Sequence, residues 1–352
     1  MLKSAVQILI ALLLVLFPQV GFSVTVEHLS DVNVPVKSQS YAQRQSAIKT
    51  GLRQVILKHV GDTSVFQNAV VNAAFKNPTN LMNQFSYLEK DDELYLKVQF
   101  SEQKVIELLR KAQVPIWGKN RPLTIAWVAY DDGVSNSIIS DSSHNEFIQN
   151  LKSESEAIGL PTVLPILDFD EVTNISVSDI KGSFVNQLHS FNERYGVEYY
   201  TLITLNKTPQ GFAYQVKLYP QQQEGILRSV YTFSGKAKDN VVTAEQILKP
   251  LASFFSKEYS VTATNENSST VLEFVNVDNL QKAIKIERYL NAFSTVKSAH
   301  IQSIKNNLLA IEISLYGKES DMYKTLRLDP KITQVEHDST EESVINHRYI
   351  WK

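Results

Sequence analysis

Leu123-Thr124-Ile125-Ala126-Trp127-Val128-Ala129-Tyr130 is an apolar run broken only by Thr124, bounded by Pro122 and by Asp131-Asp132-Gly133. Side chains alternate across a strand, so a run apolar at both parities describes a strand covered on both faces. Downstream, a helix is expected over Asn145 to Ile158, ending at Gly159, then a short strand Thr162 to Ile166. Ser178 or Asp179 caps a further helix expected to end at Gly196. Tyr199 to Leu205, Phe212 to Tyr219 and Ile226 to Phe233 read as three strands in hairpin succession, and a helix over Thr243 to Tyr259 closes the region. Alternating strands and helices followed by a meander predict a mixed sheet for residues 123–262.

Upstream, residues 24–122 read as a β-α-β-β-α module. Val32, Val34 and Val36 alternate like a strand; Ser40 with Gln43 has capping-box spacing. Ile48, Leu52, Val55, Ile56 and His59 recur at helical spacing up to Gly61, leaving Lys49, Arg53 and Lys58 off the stripe. Those three read as a solvated face or as a surface for acidic lipid or protein. Asn77-Pro78 ends a second, short helix. Phe85 to Leu88 and Leu94 to Phe100 form a hairpin, and Ser101 opens another helix.

The polar stretch within residues 263–270 reads as a linker. Residues 271–337 then run strand, helix, strand, strand, helix, strand: the split-βαβ, ferredoxin-like order βαββαβ. Residues 338–352 read as a C-terminal tail ending in Tyr349-Ile350-Trp351. The expected fold class is α/β (α+β), with three small modules, each a mixed or antiparallel sheet with packed helices.

The 352 residues include no Cys, which excludes disulfides, thiolate metal sites, Cys nucleophiles and a lipidated N-terminal Cys. The formal net charge of −2 gives no electrostatic case for nucleic acid. It is a sum of unlike parts: residues 24–122 carry 13 basic and 9 acidic side chains, 123–262 carry 10 and 16, and 263–352 carry 11 and 12. Lys3, the apolar run Ala5 to Phe17 and the small residues Gly21 and Ser23 form a secretory pattern, with cleavage expected after Ser23 and an uncleaved anchor as the alternative. No later stretch is apolar enough to span a membrane, so no integral membrane domain is expected after cleavage.

Asp131, Asp132, Asp168, Asp170 and Glu171 follow two expected strands that can be parallel neighbours, where α/β ligand sites form. Converging, the four Asp could hold a divalent cation through oxygen ligands; turn formation and helix capping explain the same residues. No pair of His has helical ligand spacing, and no phosphate-cradling or nucleophile-elbow motif is present. No cofactor and no catalytic residue is therefore expected. Trp117 and Trp127 read either as packing residues or as an aromatic platform.

The junction Gln113-Val114-Pro115-Ile116-Trp117-Gly118-Lys119-Asn120-Arg121-Pro122, leading into Leu123, resembles a family of proteobacterial secreted proteins known as domain of unknown function number two thousand and sixty-six. Ala47 to Asp62, Gly159 to Asp168 and Arg194-Tyr195-Gly196 carry the same resemblance. It implies a Gram-negative envelope location and no catalytic residues. By element order alone, the first region is similar to small modules of secreted flagellar and lipoprotein-associated proteins. The second is similar to the N-terminal module of the Tol–Pal β-propeller protein. Trp117, Gly118, Arg121 and Pro122 are expected at the joint of the first two modules. The expected function is a periplasmic accessory or interaction protein with envelope proteins as partners. A divalent-metal enzyme at the acidic cluster and a ligand-binding module at the joint are the alternatives.

Overall fold

The computed structural model describes residues 24–90, 92–223, 225–263, 268–335 and 348–352. The secretory segment 1–23, linker residues 264–267 and tail residues 338–347 lie outside the described residues, as do His337 and His347.

The first module contains β1 (Val24–Thr25), β2 (Asp31–Pro35), α1 (Tyr41–Val60), α2 (Ala69–Ala74), β3 (Met82–Lys90), β4 (Glu93–Phe100) and α3 (Glu102–Lys111). The antiparallel order β2-β4-β3 places β3 at an edge. Val32, Val34, Leu96 and Val98 pack against Ile48, Leu52, Val55 and Ile56 of α1, with Val105 and Leu109 of α3 in the same core. Ser40 accepts the Gln43 N–H at the start of α1. At its end Gly61 takes φ 71°, where its N–H reaches the Leu57 carbonyl. A Cβ at Gly61 would lie 2.6 Å from Ser256 Cβ, so position and conformation both require glycine. The basic face is not a single surface: Lys58 is buried with Nζ on the Asp31 carbonyl at 3.0 Å, and Arg53 stacks on Phe66.

The central module follows with β5 (Asn120–Arg121), β6 (Thr124–Asp131), β7 (Asn136–Ile139), α4 (Glu146–Ile158), β8 (Thr162–Val163), α5 (Phe169–Asn174), α6 (Val177–Gly182), α7 (Val185–Asn192), β9 (Tyr199–Thr208), β10 (Gly211–Pro220), β11 (Tyr231–Ala237) and α8 (Asn240–Tyr259). β5 pairs with β1, outside the main sheet. The sheet runs β11-β10-β9-β6-β7, with β8 beside the start of β6; β6 is parallel to both β8 and β9. Ala126 and Val128 belong to the core beneath α4 and α8, and Ile125, Trp127 and Ala129 to the core beneath α6 and α7. Two covered faces are what the continuous apolar run requires. Trp127 is fully buried, and its Nε1 donates to Asn192 Oδ1 at 2.8 Å.

Three expectations change here. The helix expected up to Gly196 is two helices and a 3-10 turn, because Ser183 takes φ 59° after Gly182 and ends α6. β11 begins at Tyr231, so Ile226 lies outside the strand and exposed. α5 and β7 are additional elements, the first capped by Asp168 and the second formed by the turn at Asp131–Gly133.

The third module comprises β12 (Ser268–Val275), α9 (Leu280–Asn291), β13 (Val296–Lys305), β14 (Leu308–Leu315), α10 (Glu319–Arg327), β15 (Ile332–Gln334) and β16 (Arg348–Trp351). The sheet order is β13-β14-β12-β16-β15. The ferredoxin-like plan is present with one strand inserted. The expected tail is corrected at its end, because β16 runs parallel to β12 and antiparallel to β15 between them. Tyr349 is buried in the core and Arg348 Nε pairs with Glu273 at 2.8 Å. The linker reading is corrected likewise at Ser268–Thr270, which open β12.

Candidate functional site

Arg121 occupies the joint of the first two modules. It is fully buried, and its Nη2 donates to the Lys58 carbonyl at 2.5 Å, in the last turn of α1. Its Nη1 donates to Gly159 O at 2.6 Å and Ile158 O at 3.3 Å, at the end of α4. Nε reaches the Gly118 carbonyl, and the guanidinium stacks 3.9 Å from the Trp117 ring. The last carbonyls of a helix lack intrahelical donors and carry the negative end of its dipole. One cation therefore caps two helices from different modules. Burial lowers Arg121 to about 9, which leaves it charged at neutral pH.

Trp117 is fully buried and donates its backbone N–H to His59 O at 2.7 Å, so it is a packing residue and not an exposed platform. Ile116 and Val261 exchange two backbone bonds beside it. The third module meets the same place: a Cβ on Gly118 would lie 2.5 Å from Ser294 Oγ, and Asn120 Nδ2 donates to Asp329 Oδ2 at 2.7 Å. Pro122 is buried directly after Arg121.

The carboxylates at the strand ends have separate tasks. Asp131 accepts from Gly133 N–H and pairs with Lys181 at 3.2 Å, both of which hold it below the usual carboxylate range. Asp132 is lowered by the Ser135 and Val134 N–H groups of the same turn. Asp168 caps α5 and pairs with Arg194 at 2.6 Å, the contact that most lowers it. Asp170 is exposed in the first turn of α5. The structure thus ties Asp131 and Asp168 to different cations. Among the described residues no group of three or more His, Asp or Glu is placed to hold a metal.

Glu171 is the buried member of the set. It accepts from Leu167 N–H at 2.7 Å and from the Tyr195 hydroxyl at 2.6 Å. Tyr195 in turn accepts the Ile166 N–H, which fastens the loop before α5 to the turn after α7. That clamp leaves Ile166, Phe169 and Val172 pointing outward, with Phe169 84% exposed and Val172 63%. Phe184 and Val134 are also exposed on this side of the sheet or at its strand ends. The residues missing from the sequence reading are these apolar ones. Asp168 followed by Phe169 and Val172 at i, i+3 spacing was the available signal.

Residues 23–118 match a family model described as Domain of unknown function (DUF8605), and residues 268–346 match the model DUF2066. The second match supports the family resemblance in the third module; the junction and the other quoted pieces lie outside it. No curated protein and no solved structure matches the chain. Among the described residues no helix is long and apolar enough to cross a membrane.

Proposed function

We propose that the chain is exported by its first 23 residues to the Gram-negative envelope and acts there as a non-enzymatic interaction protein. The layer α5–α7 is its docking face. The observation that carries this reading is the outward set Ile166, Phe169, Val172 and Phe184. The opposite layer, α4 and α8, exposes one large apolar side chain among the described residues, Val241. Exposed apolar side chains gathered on one layer mark an interaction surface. Residues 164–198 carry six acidic and two basic side chains, and both cations, Lys181 and Arg194, have carboxylate partners. An apolar face in an acidic field fits a basic amphipathic helix of a partner protein and disfavours anionic lipid. Replacing Phe169 and Val172 together by Asp tests this. The variant is expected to keep its melting temperature and to lose its envelope partner; retention of the same partner overturns the reading.

A second reading, a ligand site at the joint of the first two modules, is favoured by a groove of about 480 Å³ lined by Val65, Asn68, Val114, Pro115, Lys257 and Ser260. Filling it with Ser260→Trp separates the two. Docking through Phe169 survives the substitution under the first reading, and thermal stabilisation by a small-molecule fraction is lost under the second.

A further inference from the structure

Among the described residues, the strand edges are not equally guarded. β13 is interrupted by two register shifts, β11 carries Lys236 beside Gly235, β2 ends in Pro35, and β7 and β15 are short. Bulges, prolines, lysines and brevity are the devices that stop an edge from recruiting another strand. β3 is nine residues long, and its one register shift lies at its start, between Met82 and Gln84. Its charges, Glu89 and Lys90, both stand at the far end. Between them, Gln84-Phe85-Ser86-Tyr87-Leu88 is uncharged and mostly exposed.

The side chains along this edge are large. Phe85 and Leu88 are exposed, and the Phe85 ring meets Tyr87 edge-on at 6.2 Å. Arg44 of α1 lies within 5.4 Å of Tyr41 and 5.3 Å of Phe85, holding the aromatic group at the margin of the core. A free strand edge offers alternate N–H and C=O groups to an incoming strand, and aromatic cross-strand pairs then set the register.

We propose that β3 pairs antiparallel with β3 of a second copy of this chain, about a two-fold axis at Ser86. The aromatic pair selects that occupant and that register: only about an axis at Ser86 does Phe85 of one strand face Tyr87 of an identical strand, which makes β3 its own complement. Phe85 then faces the other copy's Tyr87 twice, and Gln84 faces Leu88. Glu89 meets Asn83 and Lys90 meets Met82, so no like charges oppose. An axis at Glu89 would set two carboxylates against each other. The dimer joins two three-stranded sheets into one of six and leaves the α5–α7 face free.

The absence of native Cys makes the test direct. Ser86 lies on the axis, and facing residues of an antiparallel pair stand within disulfide reach. Purified Ser86→Cys is expected to form a disulfide-linked dimer on mild oxidation, about tenfold more than Gln84→Cys, whose copies stand out of register. Equal cross-linking of the two variants, or none, overturns the proposal. Sedimentation supplies the second measurement. Phe85→Lys with Tyr87→Lys sets lysines opposite one another and is expected to weaken the dimer about tenfold, whereas Phe85→Lys with Tyr87→Glu restores it. A chain that stays monomeric without substitution, or equal loss in both pairs, contradicts the proposal.

Discussion

Arg121 donates to the Lys58 carbonyl at 2.5 Å, in the last turn of α1, the long helix of the first module. The same guanidinium holds Gly159 at the end of α4, so one side chain answers the free carbonyls of two helices. Arg121→Lys retains the charge but cannot form both sets of bonds. Hydrogen bonds to charged groups contribute about 1.5–3 kcal/mol each, and an expected loss of about 3–5 kcal/mol follows. Urea unfolding of the full chain measures it; a loss below about 1 kcal/mol contradicts the role given to Arg121.

His59 is fully buried behind this joint, with Nε2 3.5 Å from Ser30 Oγ. Burial, then Arg121, Lys119 and Lys58, lower it from 6.5 to about 3. The unfolded chain therefore binds a proton that the folded chain refuses between these values. Stability from this group is complete above pH 6.5 and declines by about 1.4 kcal/mol per unit as the pH falls towards 3. His59→Leu is expected to flatten the slope, read from urea midpoints between pH 7 and pH 4. An unchanged slope contradicts it.

Glu198 acts with the opposite sign. Burial raises it from 4.5 to about 7 while it accepts the Leu123 N–H at 2.6 Å. The folded chain holds this proton more tightly, so stability is complete below pH 4.5 and is lost as the pH rises through 7. Glu198→Gln keeps an acceptor without the charge. It is expected to stabilise the chain at pH 8 by about 1–3 kcal/mol and to change little at pH 5. Thermal melts at the two pH values decide it. Because the two slopes oppose between pH 4.5 and 6.5, each must be read as a difference from the unsubstituted chain.

Much of this plan was legible in the sequence for a local reason. Ser40 and Gly61 bound α1, Asn145 and Gly159 bound α4, and the parity of residues 123–130 required two covered faces. What was not legible depends on distant partners. β16 is four residues long and becomes a strand because β12 and β15 each have an open side for it. The roles of Arg121 and Glu171 depend on helix ends and a tyrosine that only the fold brings near. The acidic residues looked alike in the sequence, yet Asp168 caps, Asp131 pairs with Lys181, and Glu171 is buried.

β16 also yields a prediction. Removing residues 348–352 takes Tyr349 from the third core and Trp351 from its edge-on contact with Tyr289 at 4.9 Å. Truncation of large buried aromatics costs about 3–5 kcal/mol. The shortened chain is expected to gain a separate, lower melting transition, with amide exchange accelerating across β12 and β15 first. Uniform protection of those strands contradicts a structural role for β16.

The docking face is tested most directly by placing a photo-activated cross-linking residue at position 169, 172 or 241 of the chain in intact cells. The account predicts one discrete adduct from 169 and 172, shared between them, containing a basic amphipathic helix at the cross-link and absent from 241 on the opposite layer. No adduct from 169 and 172, or the same adduct from all three positions, contradicts it.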